Sequence, residues 1–192
     1  MWILRSSRST WLEVKLPTVL ILASGRGERF VASGGQGSKL DALIEDKTVL
    51  QWTLDAVRAT GLPWHLENAG HPGMGDSIAA AVRATPDAAG WLILPADLPS
   101  ISSQTILAVA QAIENGAQAA YPIYQGQRGH PVGFAVASGT ELRNLKGNRG
   151  AAGILSAQSA IELIVTDAGC VIDVDTLEQL CEVRKRLAPN GA

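Results

Sequence analysis

The stretch LILASGRGERFVASGGQGSKL, residues 20–40, narrows the folds open to this chain more than any other segment. Residues 19–23 form an unbroken aliphatic run without polar alternate positions. That is the pattern of a strand buried on both faces, and such strands lie in sheets covered by helices on either side. The run closes on Ser24-Gly25 and enters a loop, 24–39, with glycines at 25, 27, 34, 35 and 37. A glycine-rich loop after a buried strand brings backbone N–H groups within reach of phosphates. Which phosphate compound it meets, and whether that compound is held or consumed, depends on the side chains around it.

The remaining segments alternate in type. Residues 48–61 place Val49, Leu50, Leu54 and Val57 at helical spacing and stop at Gly61. PWHLEN, 63–68, reads as a short strand and HPGMG, 71–75, as a second glycine loop. A helix over 76–85 follows, with Asp76 or Ser77 as its N-cap and Pro86 beyond its end. Residues 91–94 form a buried strand running into Pro-Ala-Asp-Leu-Pro, and 103–115 a helix. The strand 117–124 leads through a glycine turn at 126–129 into an alternating strand. Helices over 139–145 and 150–160 flank the loop KGNRG. The chain ends with the strand 161–167, a turn at 167–169, a further strand CVIDVDT at 170–176, and an amphipathic helix over 177–187. This alternation predicts a three-layer, Rossmann-like α/β domain with a mostly parallel, mixed sheet. Residues 1–16 read as a lead-in and 17–188 as a single domain.

Composition removes several function classes. With 192 residues and a formal net charge of -2, the chain has no general attraction for polyanions, which argues against nucleic-acid or membrane-surface binding. No stretch approaches the ~20 apolar residues of a membrane span. The two cysteines, Cys170 and Cys181, lack metal-site spacing and do not suggest a disulfide framework. A reducing cytosol fits this usage.

The opening loop fits neither of the common phosphate motifs. In a Gly-x-Gly-x-x-Gly dinucleotide fingerprint Gly25 and Gly27 match, but Phe30 takes the third glycine's place, and eight residues separate it from Lys39. A Walker loop needs Gly-Lys-Ser/Thr, which GSKLD does not supply. What remains is a loop of backbone donors supplemented by Arg26, Arg29 and Lys39. Cations aimed at a triphosphate serve catalysis when charge builds on departing pyrophosphate, so the loop suits nucleotidyl transfer. The alternative is a solvated loop whose arginines pair with surface carboxylates.

Five segments, in order, resemble the MobA-like nucleotidyltransferases, and among them the molybdenum cofactor cytidylyltransferases. LILASGRGERF with Lys39 is similar to their phosphate loop, GMGDSIAAAV to their Gly-Met-x-x-Ser-Leu segment, and LPADLP to their acidic strand end. GQRGHPVGF resembles their Gly-x-x-Gly-His-Pro turn and VIDVDTLEQL their Asp-x-Asp-Thr-Pro-Glu-Asp-Leu terminus. Two features depart from the pattern. The glycine insertion lengthens the loop before Lys39, and Asn148 and Ala152 stand where the family's Gly-Asp-x-Gly-Ala-Arg has an acid and an arginine.

The resemblance implies a Mg²⁺-dependent enzyme that transfers CMP from CTP to molybdopterin and releases pyrophosphate. A molybdenum apoenzyme is an implied partner. GTP as donor, or a sugar or alditol phosphate as acceptor, keeps the same chemistry; a non-catalytic module that hands molybdenum cofactor to an apoenzyme is the alternative of another class. Lys39, Arg29 and Arg26 are expected to neutralise the triphosphate. Ala23, Ser24 and Gly25 are expected to offer it backbone groups, and Met74, Gly75 and Ser77 to contact base or ribose. Gly129 and His130 would face the acceptor. Asp97, at the carboxyl end of a strand, is the first expected metal ligand. Asp175 is preferred to Asp173 as the second because it lies nearer the turn into the final helix, although strand residues two apart share a face.

Overall fold

The computed structural model describes residues 15–25 and 27–188. Arg26 and nearly all of the expected lead-in therefore lie outside the described residues. β1 (Thr18–Leu22) is buried along its whole length. Its side chains divide between two cores: Val19 and Ile21 join one, Leu20 and Leu22 the other. This is the two-residue period of a strand covered on both faces.

After β1 come α1 (Glu28–Ala32), the small antiparallel pair β2 (Leu43–Ile44) and β3 (Lys47–Thr48), and α2 (Val49–Arg58). Next are β4 (Trp64–Glu67), α3 (Met74–Ala84), β5 (Gly90–Pro95) and α4 (Ser103–Glu114). The second half holds β6 (Ala119–Tyr124), β7 (Gln127–Arg128), β8 (Val132–Ala135), α5 (Gly139–Arg143), α6 (Ala152–Ser156), β9 (Ala160–Ile164) and α7 (Leu177–Leu187).

The main sheet runs β4-β1-β5-β8-β6, with β7 and β9 also paired to β6. The pairs β1·β4, β1·β5 and β6·β9 are parallel, and the reversed strands are β7 and β8. The expected mostly parallel, mixed sheet is thus present. On one face, Leu92 and Leu94 of β5 pack with residues of α2, α4 and α7. On the other, Trp91 and Ile93 pack with residues of α3, α5 and α6.

Local chemistry explains where the helices begin. Thr48 and Gln51 form a reciprocal capping box on α2, and Ser102 and Thr176 accept backbone N–H bonds at the starts of α4 and α7.

The elements differ from the sequence expectation in three places that bear on the site. The loop 24–39 contains a helix, α1, whose Phe30 is buried in the core. α3 begins at Met74, so neither Asp76 nor Ser77 is its N-cap; Gly73 holds that place without a side-chain bond. The loop KGNRG causes this shift, because Gly75 N–H donates to Gly147 O at 2.8 Å and Gly147 N–H donates to Asp76 Oδ2 at 2.8 Å. The approach is close: a Cβ on Gly73 would lie 2.3 Å from Gly147 backbone atoms. Finally, 170–176 is not a strand. Ala168–Val171 is a 3-10 turn, and the residues after it join no ladder.

Candidate active site

The carboxyl ends of the parallel strands open onto a cavity of about 970 Å³. Loops after these ends are where open α/β sheets place ligands. The strand order sets the stations along this rim. At the centre, the loop after β1 contributes Ala23, Ser24, Gly25, Arg29 and Lys39. Beside it, β5 delivers Asp97. Beyond β5 the segment from β7 to β8, both of which pair with β6, brings Gln127, Arg128 and His130, and on the opposite side of β1 the segment after β4 brings His71, Met74 and Ser77.

Asp97 is held near the terminal acids by the backbone, since Val174 N–H donates to Asp97 O at 3.0 Å. Oxygens of Asp97, Asp173 and Asp175 lie within 4.8 Å of one another. Gln179 fixes the last of these by accepting the Asp175 N–H at 2.8 Å, and its amide donates to Asp173 Oδ1 at 3.3 Å. Lys39 Nζ reaches into the cluster, 2.5 Å from both Asp97 Oδ2 and Asp175 Oδ1. Arg29 reaches Asp175 Oδ2 at 2.9 Å from an exposed position.

Charge in this cluster is unevenly matched. Burial works against the Lys39 ammonium, yet the carboxylates of Asp97 and Asp175 outweigh it and hold its pKa above the ordinary lysine value. Asp173 is pushed up, first by burial and then by the neighbouring Asp175 and Asp97. Among the described residues, Asp97 Oδ1 is buried without a hydrogen-bond partner. Three convergent carboxylates and an orphaned oxygen among them are the donor set of a hard divalent cation. The residues present fit such an ion.

The other expected residues fall into two groups. Ala23, Ser24, Gly25, Met74, Ser77 and His130 line the cavity. Ser24 Oγ and Ser77 Oγ are 2.6 Å apart, which joins the β1 loop to α3. Among the described residues His130 Nδ1 is buried and unpartnered; burial lowers the ring's pKa, with Asp97 opposing that shift. Gly75 and Gly129 do not line the cavity but stand behind its wall. A Cβ on Gly75 would come 2.5 Å from Arg149 O, and one on Gly129 would come 2.6 Å from Cys170 Sγ. Arg26 lies outside the described residues.

Several cavity residues were missed by sequence reasoning. The sequence ranks Asp173 behind Asp175, and the structure brings both acids into the cavity beside Asp97. In the sequence Asn148 stands out only as a departure from the family pattern, yet the loop clamped on α3 carries it into the cavity. Arg128 sits inside the glycine turn read as a motif, with its guanidinium 5.8 Å from the Tyr121 ring. His71 carried no sequence signal.

A family model described as the MobA-like NTP transferase domain matches residues 56–161. That span includes Asp97 and His130 and stops short of Asp173 and Asp175. Comparison with curated proteins finds no match. Among solved structures, the chain is similar to Rv0371c of Mycobacterium tuberculosis H37Rv, with 21% identity, 89% of this chain and 98% of that chain covered, and a TM-score of 0.75. A complex of Rv0371c with manganese gives a TM-score of 0.71 at the same identity and coverage. The molybdopterin-guanine dinucleotide biosynthesis protein A of Archaeoglobus fulgidus shares 15% identity over 88% of this chain and 97% of that one, with a TM-score of 0.66. A 4-diphosphocytidyl-2C-methyl-D-erythritol synthase from Anaerococcus prevotii shares 13% over 91% and 99%, with a TM-score of 0.65. At these identities the likeness is one of fold. Among the described residues no helix is long and apolar enough to cross a membrane.

Proposed function

The chain belongs to the MobA-like NTP transferase domain family, and from that premise we propose that it is a Mg²⁺-dependent nucleotidyltransferase that transfers CMP from CTP to the terminal phosphate of molybdopterin. The carrying observation is the carboxylate cluster of Asp97, Asp173 and Asp175, with Lys39 and Arg29 on it, at the end of the β1 loop.

Asp97, Asp173 and Asp175 would hold the metal ion. When bound it would screen the triphosphate and polarise its oxygens. The chain's own groups do the rest. Backbone of 23–25 and the cations of Lys39 and Arg29 orient the triphosphate, and a bound triphosphate gives the Lys39 ammonium an anion other than Asp97 and Asp175. An acceptor phosphate oxygen attacks the α-phosphorus; the new P–O bond forms as the bond to the β-phosphate oxygen breaks, and pyrophosphate leaves with its charge met by Lys39 and Arg29. A phosphate nucleophile needs no base at neutral pH, so positioning and charge stabilisation suffice. His130 and Arg128 face the acceptor from the far side of Asp97.

A second reading keeps this chemistry with an alditol or sugar phosphate as acceptor. One observation favours it: Gln127, Asn148 and His130 are hydrogen-bonding groups, and no Phe, Tyr or Trp is among the described residues lining the cavity, so a flat ring system meets no aromatic face larger than an imidazole.

The test is pyrophosphate release with Mg²⁺ and each of CTP and GTP, in the presence of molybdopterin or of alditol phosphates. Release that requires CTP and molybdopterin together is the expected result. Release with GTP or an alditol phosphate would replace the named substrates, and no release with any pair would overturn the enzymatic reading.

A further inference from the structure

A second cluster of titratable groups lies on the same rim, at the end of β4, and the transfer chemistry above makes no use of it. Glu67 is the last residue of β4 and is buried. Its Oε1 accepts from Ala69 N–H at 3.2 Å and lies 3.1 Å from His71 Nε2; its Oε2 lies 3.4 Å from His65 Nε2. Burial disfavours the Glu67 carboxylate, but the bonds from His71, Ala69 and His65 overcome that and hold its pKa below the ordinary glutamate value. A carboxylate only accepts hydrogen bonds, so His71 Nε2 carries the hydrogen. Glu67 also ties back to the phosphate loop, because Ala23 N–H donates to Glu67 O at 2.8 Å. His71 is thus oriented by a buried anion and faces the cavity next to Pro72, Met74 and Ser77.

The order of stations along the rim assigns this end a ligand part. Lys39, Arg29 and the three aspartates surround the phosphates at the centre. The β7–β8 side offers the cation Arg128 and suits an anionic acceptor, whereas among the described residues the β4 side offers a thioether, a hydroxyl and an imidazole but no arginine or lysine. An uncharged nucleobase matches the β4 side.

We propose that His71 is a specificity-determining residue that reads the nucleobase through Nδ1, and that Glu67 is the positioning residue that fixes its tautomer and orientation. With Nε2 protonated, the neutral ring presents Nδ1 as an acceptor. Cytosine offers a 4-amino N–H to such an acceptor, and uracil offers a carbonyl oxygen at the same place. The pair therefore selects an amino-bearing base over its keto counterpart. This inference rests on the nucleotidyltransferase reading and adds a residue to it.

The test is calorimetry of the full chain with Mg²⁺ and CTP, UTP or inorganic tripolyphosphate, on the wild type and on His71→Ala, His71→Asn and Glu67→Gln. Tripolyphosphate carries the phosphates without a base. Wild type is expected to prefer CTP to UTP by about tenfold, the size of one hydrogen bond plus a mismatched acceptor. His71→Ala should bring that ratio near one and leave tripolyphosphate binding unchanged. His71→Asn, which keeps an amide at the Nδ1 position, should retain part of the preference, and Glu67→Gln should lower it while circular dichroism remains that of the wild type. If His71→Ala keeps the wild-type ratio, or weakens tripolyphosphate as much as CTP, the base-reading role is overturned while the nucleotidyltransferase reading stands. If the wild type binds none of the three ligands, the nucleotidyltransferase reading falls first.

Discussion

Two carboxylate clusters share the rim of one sheet and are built on opposite terms. At β4, one carboxylate has three donors, and its pKa lies below the ordinary glutamate value. At β5, three carboxylates share the ammonium of Lys39 and the guanidinium of Arg29, Asp173 is pushed up, and an oxygen of Asp97 has no partner among the described residues. The first arrangement is satisfied by the chain alone and serves to hold a neighbour in place. The second leaves negative charge and acceptor capacity unmatched, which a stable fold does not require and a cation-dependent reaction does.

The largest expected effect comes from Asp97→Asn. If the β5 cluster is catalytic, pyrophosphate release should fall by about 10²–10³-fold, the usual result of losing one group that stabilises transition-state charge. The melting temperature should change little, because the substitution relieves carboxylate crowding. Retained activity would reduce the β5 cluster to a structural ion pair and erase the contrast with β4. Lys39→Met comes next. It leaves three carboxylates facing one another, with Arg29 on Asp175 alone, and should cost roughly 2–3 kcal/mol of stability in denaturant titration, since breaking a largely buried pair strands its partners. A smaller loss would mean that solvent already screens the cluster.

The sequence shows the two clusters unequally. β1 and β5 are legible because both faces of each strand are buried, so no polar residue interrupts the pattern. Asp97 is legible because it follows such a strand directly. Asp173 ranks behind Asp175 in the sequence only because Asp175 lies nearer the turn into the final helix, whereas the segment is no strand and is held by one backbone bond to Asp97 and by Gln179, neither of which has a periodic signature. α1 was hidden because its five residues are too few for a helical repeat and are followed by glycines. The start of α3 was misplaced because its first turn is set by a loop some seventy positions away, through Gly147 and Asp76. Glu67, His65 and His71 lie within seven residues of one another, but their meeting depends on the turn after β4, for which side-chain spacing gives no rule.

The remaining predictions set the clusters against each other in pH. Glu67 has a lowered pKa in the folded state, so the unfolded chain binds more protons as pH falls below the ordinary glutamate range, and stability from this site is present above that range and lost below it. Glu67→Gln should cost about 1–2 kcal/mol at neutral pH, the worth of charge-assisted bonds at a buried site, and should flatten that acid-side loss. Asp173 behaves in the reverse sense. Its folded-state pKa is raised, first by burial and then by Asp175 and Asp97, so the folded chain binds more protons just above the ordinary aspartate range, and stability falls as pH rises through that window. Once ionised, Asp173 is a cost, and Asp173→Asn should raise the melting temperature at neutral pH by a few degrees at most, as about 1 kcal/mol shifts a domain of this size by roughly 2–4 °C. Thermal melts of wild type and both variants at pH 4, 5 and 7 give the two slopes directly. Opposite signs would confirm one satisfied and one overcharged cluster. A destabilised Asp173→Asn at neutral pH would mean that the third carboxylate supports the fold, and the β5 cluster would then share the structural character of β4.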